Sequence, residues 1–116
     1  METKLDMPHG FQIFGRHYKE TKNLSLKDVV LFIDRDLHLV LKRMPGEMPE
    51  ISITLLSREG IADIQLQMVV SNKNILELVR QKTEEVLWDY NEQLFTAKNG
   101  RLVPQEPRFQ FHVEIH

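Results

Sequence analysis

Between residues 51 and 70, apolar and polar positions alternate with a period of two on both sides of Glu59-Gly60. Ile51, Ile53 and Leu55 fall on one side of the first run, and Ser52 and Thr54 on the other. In the second run Ala62, Ile64, Leu66, Met68 and Val70 oppose Asp63, Gln65 and Gln67. This alternation predicts two strands, each with one buried and one wet face. Gly60 can supply the positive φ of a tight turn, so the two runs are expected to form a hairpin. A lone hairpin is marginal in water, and its apolar face needs a cover. The best helical patterns in the chain lie on either side of it.

The first helix is predicted to start at Ser25, an N-cap residue with Asp28 three positions on and Leu24 and Val29 placed as a hydrophobic staple. Leu26, Val30, Ile33, Leu37, Val40 and Met44 then recur at steps of three and four, as one face of a helix. Lys42 and Arg43 suit its C-terminal end, and Pro45-Gly46 stops it. A second hairpin, Val29–Ile33 and Leu37–Leu41 about Asp34-Arg35-Asp36, is the competing reading. The agreement of caps and period favours the helix. After the hairpin, Ser71 or Asn72 caps a second helix with Ile75, Val79, Val86, Tyr90 and Ala97 as its core line. Lys98 and Asn99-Gly100 are expected to end it.

Arg101–Pro107, with two prolines, reads as a loop, and Phe109, Phe111, Val113 and Ile115 as the inward positions of a last strand. Upstream, Phe11–Tyr18 reads as a strand interrupted at Gly15, followed by a polar connection over Lys19–Leu24. Residues 1–9 are unpatterned and are expected to form a flexible terminus, leaving residues 10–116 as a single domain. The fold class expected is therefore α+β: a two-layer sandwich of an antiparallel sheet with two helices on one face. Counting the first strand, the order is βαββαβ, the ferredoxin-like arrangement.

Composition narrows the function classes. With no cysteine among the 116 residues, disulfides, thiolate metal sites and cysteine nucleophiles are excluded. A net charge of −2, with no strong bias in either half, argues against a dedicated nucleic-acid surface. The longest apolar run, Val29–Ile33, is far too short to span a membrane, and no secretory signal is expected. A cytoplasmic location is expected.

Three groups of residues are candidates for chemistry or contact. His112, Glu114 and His116 share one face of the last strand and are metal-ligating types. At ~3.3 Å per residue the two histidines stand about 13 Å apart, so one ion cannot take both. His17 and His38 are the unplaced alternatives, and no stoichiometric metal or cofactor is expected. The second group is the wet sheet face of Ser52, Thr54, Asp63, Gln65, Gln67, Gln110, His112 and Glu114. It has no aromatic on which an RNA base would stack.

The third group is a second apolar stripe on each helix. Trp88 and Phe95 lie opposite the core line of the second helix, and Phe32 and Leu39 lie off that of the first. Cover within the monomer or contact with a partner would each account for such stripes. We expect Trp88, Phe95, Phe32 and Leu39 to form a protein interface, with a protein partner or a second copy as occupant. The function expected is that of a non-catalytic binding, regulatory or assembly protein, most simply a homodimer. The alternative is a small-molecule or metal-binding protein, or an enzyme, that uses His112 and Glu114.

Overall fold

The computed structural model describes residues 2–6 and 10–116. Its elements are β1 (Glu2–Asp6), β2 (Gly10–Phe14), α1 (Tyr18–Thr21), α2 (Leu26–Leu41), β3 (Glu50–Arg58), β4 (Ile61–Val69), α3 (Leu76–Asp89), β5 (Glu92–Lys98), β6 (Arg101–Pro104) and β7 (Gln110–Ile115). The class is α+β. The strands form two sheets, ordered β1-β2-β5-β6 and β3-β4-β7.

The hairpin read from residues 51–70 supplies β3 and the central strand β4 of the three-stranded sheet. Glu50 to Arg58 pairs residue by residue with Val69 to Ile61. Glu59 and Gly60 both have positive φ, 52° and 81°, as a two-residue turn matched to strand twist requires. The third strand, β7, runs parallel to β4 with Ile64 beside Phe111 and Leu66 beside Val113. A parallel neighbour needs a long crossover. Here the crossover contains α3 and then the β5–β6 hairpin.

One hydrophobic core lies on the helix side of this sheet. Val29, Ile33, Leu37 and Leu41 of α2 and Val79, Val86 and Leu87 of α3 cluster with Ile64, Leu66 and Met68 of β4, together with Tyr90 and Phe109. The α2 helix starts where its cap predicted: the Ser25 hydroxyl accepts the Asp28 amide at 3.2 Å. Its most buried line is 29, 33, 37 and 41, while Leu26, Val30, Val40 and Met44 flank the core half-buried. The competing hairpin over residues 29–41 is not formed.

Four expectations need correction. The chain does not form one antiparallel sheet in βαββαβ order, because β2, the strand ahead of α2, belongs to a different sheet from β3, β4 and β7. The second helix ends at Asp89, and Glu92–Lys98 is strand β5. Asn99 and Gly100, read as a helix stop, have φ 52° and 76° and form the tight turn of a second hairpin, with β6 inside the supposed loop. The terminus read as loose contributes strand β1 over Glu2–Asp6; the rest of that expectation, on Met1 and residues 7–9, lies outside the described residues. With the four-stranded sheet extending it, the molecule measures 50 × 26 × 25 Å with a radius of gyration of 15.8 Å. A compact chain of this length would have a radius near ~13 Å.

Candidate functional site: a cleft between the helices and the four-stranded sheet

The four-stranded sheet joins the helical layer at the C-terminal end of α3. Gly15 makes the approach possible: a Cβ there would sit 1.9 Å from the Trp88 carbonyl oxygen. The Gly15 amide donates to the Asn91 carbonyl at 3.0 Å and the His17 amide to the Asp89 carbonyl at 2.7 Å. Arg16 adds a two-pronged contact to the Asp89 carboxylate, at 3.2 and 2.8 Å. That bond and the nearby charge raise the Arg16 guanidinium above its ordinary pKa.

Two polar side chains, the buried Asn91 and the half-buried Arg108, complete the joint. The amide group of Asn91 donates to the Phe109 carbonyl at 3.0 Å, and its oxygen accepts the backbone amides of Glu92 and Phe109. Arg108 donates to the Tyr90 carbonyl and the Thr21 hydroxyl, both at 2.9 Å, and to the Thr21 carbonyl. Burial draws its pKa down, but a guanidinium so placed keeps its charge. Tyr90 links α3 to α2 by donating its hydroxyl to Asp36, which also receives Arg35 at 3.1 Å. Burial first, and then this bond, push the Tyr90 hydroxyl well above the ordinary tyrosine range.

Beside the joint, between the sheet and the helices, lies an open cleft of about 1160 Å³, lined in part by Gly15, Arg16, His17 and Asp89 themselves. Its apolar lining includes Leu39 and Met44 from the α2 side, Leu78 and Trp88 from α3, and Ile13 and Phe95 from the sheet. Phe95 is held in place by Phe11 on the neighbouring strand, their rings stacked 4.7 Å apart at 18°. Charged side chains of both signs surround this lining, among them Arg43, Lys82, Glu84 and Glu85.

Three of the four residues expected at an interface therefore line one cleft. Phe95 reaches it from a strand, however, and not from a helix stripe shared with Trp88. Phe32 does not line the cleft; it packs on the core with its ring stacked 6.4 Å from that of Tyr90 and Arg35 above it. Ile13 and Gln93, the cross-strand pair that continues the Phe11–Phe95 face, were not singled out from the sequence. The Asn99-Gly100 turn is the signal that would have placed Gln93 and Phe95 on a strand.

The polar sheet face is assembled as its alternation implied, with Thr54, Gln65 and His112 side by side and Ser52, Gln67 and Glu114 in the next row. His112 lies 3.9 Å from Asp63, and His116 lies 3.8 Å from Glu114. Asp63 is buried under this face; Arg58 reaches one carboxylate oxygen at 3.5 Å, and the other has no protein partner. His17 pairs with Glu20, and His38 with Asp34, far from these residues in the chain. Among the described residues no three metal-ligating side chains converge.

No helix of the described residues is long and apolar enough to cross a membrane. Compared with protein-family models, curated proteins and solved structures, the chain matches none.

Proposed function

We propose that this chain is a binding component that works through protein–protein contacts in a regulatory or assembly role, and that the cleft receives a segment of its partner. The observation that supports this is the convergence of Trp88, Phe95 and Leu39, from three different elements, on one open apolar cleft. At about 1160 Å³ the cleft exceeds the usual ~300–1,000 Å³ of small-molecule pockets. A groove lined by Trp88 and Phe95 together with charged side chains of both signs fits an amphipathic polypeptide segment laid along it. Aromatic anchors of this kind carry a large share of interface energy.

Trp88 is the only tryptophan in the chain, so its emission reads occupancy of the cleft. A peptide-display library is the probe. Selected peptides are expected to carry bulky apolar anchors, to shift Trp88 emission, and to bind ~30-fold more weakly to Phe95→Ala, the loss of about 2 kcal/mol typical of a hot spot. Peptides that leave Trp88 emission unchanged and bind Phe95→Ala as well as the parent protein would refute the reading.

A further inference from the structure

Strand β3 is an edge of the three-stranded sheet. Folded proteins protect such edges with short strands, prolines, lysines or bulges, because unpaired amides and carbonyls recruit another strand. The other edge strands have five, four and six residues, and β6 ends in Pro104. Strand β3 has nine residues, no proline, no lysine, and unbroken register against β4.

The direction of its free groups follows from the pairing on the other side. The Met68 carbonyl and the Val70 amide bond to His116, so the even-numbered residues of β4 turn their backbone groups toward β7. The odd-numbered residues of β4 therefore serve β3, and they stand opposite Glu50, Ser52, Thr54, Leu56 and Arg58. The two-residue turn at Glu59-Gly60 requires the same phase, since it closes on a bonded Arg58–Ile61 pair. The amides and carbonyls of Ile51, Ile53, Leu55 and Ser57 consequently face outward along β3.

We infer that β3 pairs antiparallel with β3 of a second copy, about a two-fold axis at Thr54. In that register Ile53 meets Leu55 of the second copy, and Ile51 meets Ser57. These four bonded pairs use all the outward groups, in about eight hydrogen bonds. Glu50 falls opposite Arg58 of the second copy at both ends, in the closer non-bonded pairs where side chains interact best. A slip of two residues in either direction loses both charge matches. Arg58 is exposed beyond its contact with Asp63 and can receive this carboxylate. The two copies would form one six-stranded sheet and cover Leu55 and Leu56, each 36% exposed in the single chain. A two-fold interface needs a self-complementary surface, and this edge is one. The inference uses a different surface from the cleft and does not rest on it.

Mass in solution and amide exchange on the wild-type protein test this together. We expect a dimer whose Ile51, Ile53, Leu55 and Ser57 amides exchange slowly at high concentration and fast after dilution. The Ser52, Thr54 and Leu56 amides, bonded to β4, stay protected throughout. Ile53→Pro removes one outward amide, a change an edge strand tolerates, and is expected to give a folded monomer with parental circular dichroism. Glu50→Lys, at the exposed strand end, keeps the fold in any event and should weaken dimerisation at least about tenfold, by replacing two attractive pairs with repulsive ones. A wild-type protein that stays monomeric, or outward amides that exchange fast at every concentration, would overturn the inference. So would a dimer unaffected by Glu50→Lys, or one abolished by Trp88→Ala and untouched at β3. That last result would place self-association in the cleft and leave the proposed function standing.

Discussion

The two sheets of this molecule are built from strands of similar kind, yet only one of them is covered. In β3-β4-β7 the side chains of Ile64, Leu66 and Met68 are fully enclosed by helices α2 and α3. In the other sheet, among residues 10–14, 92–98 and 101–104, only Gly10 and Phe14 are buried. Leu94 and Leu102 remain 41% and 51% exposed. Hydrophobic stabilisation scales with apolar area removed from water, so stability is concentrated in the three-stranded sheet. The four-stranded sheet is held by its backbone ladders, the Phe11–Phe95 stack and the joint at Gly15. The cleft lies between the helices and the uncovered sheet, and a segment bound there would give the four-stranded sheet cover it lacks.

The contrast is sharpest under truncation. Phe109→Ala, at a fully buried position just ahead of β7 of the covered sheet, is expected to cost ~3–5 kcal/mol, and Leu94→Ala in the other sheet less than ~0.5 kcal/mol. Urea unfolding of both variants measures this, and equal losses would break the comparison. Next is Asn91→Ala. It strips partners from the Phe109 carbonyl and from two backbone amides at the joint, and roughly 2–3 kcal/mol should be lost. Because Asn91 ties the start of β5 to Phe109, just ahead of β7, a shift in Trp88 emission before global unfolding would show the joint opening first.

Ser25→Ala removes the cap of α2 and should cost about 1 kcal/mol in the same assay. The smallest effect is on pH dependence. The Tyr90 hydroxyl has a higher pKa folded than unfolded, so its contribution is complete below the unfolded value of about 10 and is lost as pH rises toward the folded value. Tyr90→Phe should therefore flatten the decline of stability above about pH 10, measured by urea midpoints across that range. A decline as steep in the variant as in the parent protein would mean that Tyr90 is not its source.

The same contrast decided what could be read from the sequence. Strands β3, β4 and β7 and the Ser25-capped α2 helix were legible because each packs one face against the core, and that contact imposes the period-two or period-3.6 pattern. The uncovered sheet imposes little pattern. In β5, Leu94 and Phe95 are adjacent and point to opposite faces, and the spacing of Tyr90, Leu94 and Ala97 imitates a continuing helix. One strand partner of β5 lies about eighty residues away, at Gly10–Phe14, and nothing local announces that pairing. Asn99-Gly100 was the one strong signal, since that dipeptide favours a hairpin turn more than a helix stop. Trp88, Phe95 and Leu39 were legible as apolar residues away from the core. That they share a cleft was not, because it depends on Gly15 admitting the sheet against α3.

The placement of the β5–β6 hairpin inside the crossover from β4 to β7 has a kinetic consequence. The β3–β4 hairpin closes through two residues and can form within microseconds. The third strand of the same sheet joins only after some forty residues, including a helix and a hairpin of the other sheet, have been looped out. Ordering that loop costs entropy before the parallel pairing returns any energy. Folding should therefore proceed from β3, β4 and α2, with β7 and Phe109 docking late. Substitutions in β4 would slow folding, whereas those at Phe109 would chiefly hasten unfolding.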